Sequence, residues 1–230
     1  MKQLLQNIKI SVNENIYLKD PESTPLGKRI VENSILLIDE MGFEDFTFKK
    51  LGSKIKSNES SIYRYFENKH KLLVYLTCWY WAWKEYQLVF ATNSISNSSE
   101  KLLIAVEIVT KAVQKDESFS HINEVVLNRI IINEASKSFL TKDVDTENKE
   151  GYFAVYKRLV TRIKDMITEV SVDYKFPFSL ASMIVDGALH QHFIKDHFLS
   201  ITDCNEEVTV LDYFKDLVIK TLKIEAHGEQ

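Results

Sequence analysis

Long apolar runs, glycine, proline and cysteine are all scarce in this chain, and each shortage excludes something. No stretch of 18 apolar residues occurs, so no membrane-spanning helix is expected and no membrane partner. The opening MKQLLQNIKISVNENIYL has no uninterrupted apolar core and no small-residue cleavage site, so no signal peptide is expected. Six glycines and three prolines in 230 residues, with long stretches of Leu, Ile, Lys and Glu, favour helices. The two cysteines, Cys78 and Cys204, lie far apart without metal-ligand spacing. They read as buried, reduced thiols of a cytoplasmic protein. No internal repeat and no low-complexity tract interrupts the pattern.

What is present is an ordinary globular composition, 45% hydrophobic and 27% charged, enough for a sizeable core in one large or two small domains. The net charge of −4 does not mark the whole molecule as a polyanion binder. Its distribution says more. Residues 47–71 hold Lys49, Lys50, Lys54, Lys56, Arg64, Lys69 and Lys71 against Glu59 and Glu67, a net of +5 that leaves −9 for the rest. A basic patch on an acidic body points to a local polyanion site.

Residues 1–23 are polar and mixed and read as an arm or a short extra helix. A first helix follows, capped by Thr24, with Pro25 in its first turn and Gly42 ending it in the left-handed conformation. A second runs from Phe48 to Ile55 behind Thr47. A third starts at Glu59 with Asn58 as its cap and ends near Phe66. A fourth runs from Lys69 to about Phe90. Two short helices separated by three or four residues, after a longer one, make the pattern of a helix-turn-helix unit. Further helices are expected at about 100–115, 120–138, 148–171, 178–199 and 206–224, with Ser179 as a possible cap and TKDVDTENKEG as a mobile loop. The sum is an all-α chain of about nine helices.

The segment KRIVENSILLIDEMGFEDFTFKKLGSKIKSNESSIYRYFENKHKLL resembles the DNA-binding region of TetR/AcrR-type transcriptional repressors. Its first helix ends in Gly42 and an aromatic residue. Thr47 follows, then an apolar-small pair at Leu51 and Gly52, and IYRYFENKHKLL is similar to the family's LYYHFxSKExLL. The match covers about a fifth of the chain. It implies an arm at 1–23, a DNA-binding domain at 24–72 and a ligand-binding and dimerisation bundle at 73–230. It further implies a cytoplasmic homodimer that binds double-stranded DNA at a near-palindromic operator and answers a small apolar or aromatic effector, with no cofactor. Glu59, Ser60, Ser61 and Arg64 then face base edges. Thr47, Tyr63, Tyr65 and Lys69 match the positions that hold phosphates. Three departures stand out. Lys56 and Ser57 replace a glycine and an apolar residue in the turn, and a lysine at positive φ costs about 1 kcal/mol. Glu59 can accept from a cytosine amino group or repel phosphates. Gly52 replaces a small alanine and is expected to loosen the second helix.

Trp79, Trp83, Tyr86 and Phe90 form a helical stripe, read either as core or as one wall of an effector cavity together with Tyr152 and Tyr156. Ile184, Phe193, Phe214 and Leu217 on the last two helices are candidates for a dimer interface shared with the core. Two rivals differ in class. One is a helical scaffold that has kept the fold without operator recognition. The other is a metal-dependent helical enzyme using Asp186, His190, His192, Asp196 and His197, although two ligands per helix face are too few for a metal site and no such site or catalytic residue is assigned.

Overall fold

The computed structural model describes residues 10–114 and 121–224. These residues form ten α-helices and no strand. The helices are α1 (Pro25–Asp45), α2 (Phe48–Ile55), α3 (Glu59–Tyr63), α4 (Lys69–Thr92), α5 (Ser98–Thr110), α6 (Glu124–Glu134), α7 (Val144–Lys149), α8 (Ala154–Val170), α9 (Pro177–His197) and α10 (Val210–Leu222). Short 3-10 turns lie at Glu14–Ile16, Pro21–Ser23, Ala135–Ser138 and Leu199–Ile201. No helix among the described residues is long and apolar enough to cross a membrane. The chain divides into two compact units, Met1–Trp83 with Val113–Val155, and Lys84–Ala112 with Tyr156–Gln230.

In the first unit the local sequence signals act largely as written. Thr24 accepts from Gly27 N at 3.0 Å and Thr47 from Lys50 N at 3.2 Å, each relieving an orphan helix donor. Gly42 does take a positive φ of 77°, but with ψ of 159°, a conformation essentially confined to glycine, so it kinks α1 rather than closing it with a left-handed cap. Asn58 precedes α3 without a side-chain cap bond, and α3 stops at Tyr63 instead of Phe66. Leu51, Ile55, Ile62 and Phe66 are buried, as their spacing requires.

The turn between α2 and α3 is where this chain departs from its expected relatives. Lys56 sits at φ 53° and ψ 48°, a left-handed cap whose N–H is directed to the carbonyls of Gly52 and Ser53. Gly52 does not loosen α2. A Cβ there would lie 2.8 Å from Ser57 O and 3.4 Å from Glu59 N. The missing side chain is what lets α3 approach α2 so closely.

Two elements beyond the first four helices belong to this unit. α6 packs along α1, tied by a bidentate Arg129–Asp39 pair at 3.0 and 2.6 Å. α7 falls inside the stretch expected to be a loop. Its buried Glu147 accepts from His70 Nε2 at 2.8 Å, and Lys71 Nζ lies 3.7 Å away, partners that no local reading could supply. Cys78 is buried, donates to Tyr152 O at 3.1 Å, and has its thiol pushed up to about 12 by burial. Cys204 is buried and free as well.

In the second unit α5, α9 and α10 pack together around Ile184, Ala188, Phe214 and Val218. α9 begins with Pro177 in its first turn, so Ser179 lies inside the helix and caps nothing. Burial alone would raise the Glu85 carboxyl, yet hydrogen bonds from Arg158 and Arg162 on α8, at 2.6–2.7 Å, hold it below the usual range. At the end of α5, Lys84 Nζ donates to Ile108 O at 2.8 Å, and His192 Nε2 lies 2.8 Å from Thr110 O. Both groups address the negative end of the helix dipole. Burial lowers the Lys84 ammonium to about 8.

Three tests follow from these geometries. Replacing Lys56 by glycine relieves a left-handed lysine and should raise unfolding stability by about 1 kcal/mol in urea denaturation. Gly52→Ala should lower it by about 1–3 kcal/mol, because backbone atoms must move. Lys84 carries a pH signature. Between pH 8 and its ordinary 10.5, the unfolded chain holds a proton that the folded chain has lost, so stability rises with pH across that window. The stability of the parent relative to Lys84→Met should therefore climb by about 3 kcal/mol between pH 7.5 and 10.5. A constant difference would sink the assignment.

Candidate nucleic-acid interface

α2 and α3 cross over a shared apolar floor and present polar side chains outward. Phe48 anchors the arrangement, with its ring buried against Phe46 at 6.3 Å. The Tyr63 ring stands edge-on to Phe48 at 5.0 Å and 71°, leaving the side chain 47% exposed. Its hydroxyl reaches out and makes only a long 3.5 Å contact with Glu59 Oε1. A seated ring with an outward phenol is a donor held in place for an anion. Thr47 is exposed as well. Its oxygen accepts from Lys50 N, and its own O–H proton stays available to donate.

At the start of α3, Ser60 is exposed and Glu59 and Ser61 are half-buried. Arg64 follows one turn later, exposed. Lys49, Lys54, Lys56 and Arg64 are all exposed and make no ion pair among the described residues. The remaining cations of the basic stretch are occupied. Lys50 Nζ donates to Asp45 O at 2.7 Å. Lys71 donates to the Tyr152 hydroxyl and lies 4.0 Å over its ring.

Two residues expected at phosphates have internal tasks instead. Tyr65 is 3% exposed, and its hydroxyl lies 2.7 Å from Thr24 Oγ1. Its carbonyl accepts from Leu18 N at 2.8 Å, and Lys19 Nζ lies 5.2 Å over its ring. Tyr65 therefore fastens the N-terminal arm and the start of α1 to the end of α3. Lys69 donates to the carbonyls of Phe43 and Glu44 at 3.0 and 2.8 Å and lies 4.8 Å over the Phe43 ring. It satisfies orphan acceptors at the end of α1. On the other side of the same corner, Glu134 Oε1 accepts from Phe43 N at 3.0 Å. The sequence carried no signal for Glu134 or for Arg129, because both meet α1 across about ninety residues.

The residues named for an effector cavity fall two in each unit. Trp83 is buried, stacked on Trp79 at 6.3 Å, and belongs with Tyr152 to the first unit. Tyr152 donates to Asn15 O at 3.0 Å in the seam under the arm. Tyr86 and Tyr156 belong to the second unit. Tyr86 stacks on Phe90 at 6.1 Å, and Tyr156 donates to Asp186 Oδ2 at 2.6 Å. Burial raises the Asp186 carboxyl, and the Tyr156 bond partly offsets this. His197 packs its ring 4.6 Å from Phe193. Among the described residues no three His, Cys, Asp or Glu side chains converge as a metal site would require. Ile184 and Phe214, named for a dimer interface, are buried within the chain itself, whereas Phe193 and Leu217 are half-buried.

Comparison with known proteins agrees with this geometry. Residues 30–76 match the model of the bacterial regulatory proteins of the tetR family. No curated protein sequence matches the chain significantly. Several solved structures share the fold. AibR in complex with isovaleryl coenzyme A and operator DNA superposes with a TM-score of 0.54 at 18% identity, over 83% of this chain and 95% of that one. The superantigen PfiT gives 0.60 at 16% identity, over 90% and 100%. The fatty acid degradation regulator FadR from Bacillus halodurans gives 0.55 at 16%, over 90% and 98%. Residues 30–76 thus match the tetR family's N-terminal region, and the chain shares its all-helical fold with solved structures that include regulators.

Proposed function

We propose that the protein is a ligand-responsive homodimeric repressor that binds a near-palindromic operator. The observation that carries this reading is the face built by α2 and α3. There the Tyr63 phenol and the Thr47 hydroxyl flank four uncommitted cations, Lys49, Lys54, Lys56 and Arg64. In this reading residues 24–72 are the DNA-binding domain, and 73–230 bind the effector and dimerise. Ser60, Ser61 and Arg64 reach base edges from the start of α3, while Thr47 and Tyr63 hold the backbone. Glu59 tests the base opposite it for an amino donor. Tyr65 and Lys69 act one step back, by fixing α3 and the α1–α2 corner.

Reading two successive major grooves needs two copies of α3 about 34 Å apart. Met183 on α9 and Tyr213 on α10 are 46% and 43% exposed, and with Phe193 and Leu217 they are among the apolar side chains of α9 and α10 available to a partner copy. An effector acts by binding more tightly to a dimer geometry that no longer matches the operator. AibR, of the same fold, was crystallised with both isovaleryl coenzyme A and operator DNA, which supports a small-molecule effector here. The rival reading, a fold kept without operator recognition, draws on Glu59 at the base-facing end of α3.

Selection from a random duplex pool, followed by binding of the winner across salt concentrations, separates the two. An inverted repeat should emerge. With four free cations per protomer, the slope of log K against log salt should be about −7 for a dimer. Arg64→Ala should cost about tenfold or more and relax one base position, and Tyr63→Phe should weaken all sequences alike. No enriched site together with a flat salt response would leave the repressor reading without support.

A further inference from the structure

The N-terminal arm runs against the end of the helix-turn-helix. Leu18 N–H donates to Tyr65 O at 2.8 Å, and Thr24 Oγ1 lies 2.7 Å from the Tyr65 hydroxyl. Between these two ties, Lys19 places its ammonium 5.2 Å over the Tyr65 ring. Tyr65 directly follows Arg64, one of the four cations of the α2–α3 face. The arm therefore adds a cation at the end of α3, from outside the basic stretch 47–71.

Three observations bear on what this cation can meet. Lys19 is exposed, and it makes no hydrogen bond or ion pair among the described residues. A ring attracts an ammonium without consuming its N–H donors, so three remain for an acceptor. The carboxylates that follow it are engaged elsewhere. Asp20 accepts from Glu22 N at 2.9 Å, and Glu22 Oε1 lies 2.8 Å from His121 Nε2. The backbone that carries Lys19 is also held. The side-chain amides of Asn13 and Asn15 donate to Glu150 O at 3.0 and 3.3 Å, and the Tyr152 hydroxyl donates to Asn15 O at 3.0 Å. A cation on a fixed segment has less freedom to lose when an anion arrives.

A recognition helix whose first residues meet base edges has its last turn nearer the phosphates at the edge of the groove. At that end of α3 the Tyr65 hydroxyl is tied inward to Thr24, and the exposed charge beside it is that of Lys19. We infer that Lys19 is a DNA-backbone contact, held by the docked arm at the end of α3 as a fifth phosphate-pairing cation. The inference rests on the repressor reading and adds to it a residue from outside the helix-turn-helix. A phosphate contact carries no sequence information, so Lys19 contributes affinity and register and leaves base choice to α3.

The test is fluorescence anisotropy of the full chain on the selected duplex and on a scrambled duplex of the same length, across salt concentrations. Five cations per protomer of a dimer give a slope of log K against log salt of about −9, and Lys19→Ala should bring it back to about −7. Lys19→Ala should also weaken both duplexes alike, by about tenfold. Lys19→Arg should keep the parent slope. Lys19→Gln retains most of the stem over the Tyr65 ring and should behave as Lys19→Ala, which separates lost charge from a loosened arm. Lys175→Ala, which removes an equal charge from the second unit, should leave the slope unchanged. A steep parent slope that neither Lys19→Ala nor Lys19→Gln alters would overturn this inference alone, as would a loss of affinity confined to the selected duplex. A parent with no enriched duplex and a flat salt response would overturn the repressor reading and this inference with it.

Discussion

The corner at Gly42–Glu44 holds α2 and α3 in place. A kinked glycine exposes the last carbonyls of α1 and the first free amide beyond it. Lys69 takes the carbonyls, and Glu134 takes the amide. Both bonds involve a charged partner, the stronger class of hydrogen bond. Because Lys69 begins α4 and Glu134 ends α6, two long-range elements meet at one turn. The direction in which α2 leaves α1 is therefore set by groups outside the helix-turn-helix itself. Arg129 and Asp39 repeat the tie one turn away along α1.

This has a consequence for how a signal could reach the α2–α3 face. A helix-turn-helix hung on a flexible linker would ignore motions elsewhere in the chain. Here α1 cannot rotate without breaking the Arg129–Asp39 pair or dragging α6 with it. Coupling of this kind needs an element with two arrangements that both sites bias. α6 is the element in the first unit that is placed to carry such a bias to α1. Its start, at Glu124, is buried, and its end holds Phe43.

The legible part of this fold was the part governed by neighbours in sequence. Thr24 and Thr47 cap their helices because a β-region residue with a side-chain oxygen meets the N3 amide whatever the tertiary context. Lys56 is left-handed at the turn position where the resemblance places a glycine. The reading failed where a distant partner decides. Tyr65 and Lys69 have the residue types of phosphate ligands, but Thr24, Leu18 and the Gly42 corner claim them first. α7 is polar along its length and is held by His70 and Lys71, which precede it by more than seventy residues. Gly52 looked like a weakness in isolation and is a contact once α3 is in place.

Glu59 brings the two kinds of evidence together. As a charge at the start of α3 it favours the helix dipole, and it sits four residues before Tyr63, within a long 3.5 Å of its hydroxyl. The carboxylate and the phenol are thus neighbours on that face. In the proposed reading, the carboxylate would repel a phosphate backbone in the wrong register, opposing the attraction of Lys54, Lys56 and Arg64, and would gain a partner only where a base presents an amino donor. Such a charge would lower affinity for unmatched sites more than for a matched one, and so raise the ratio between them.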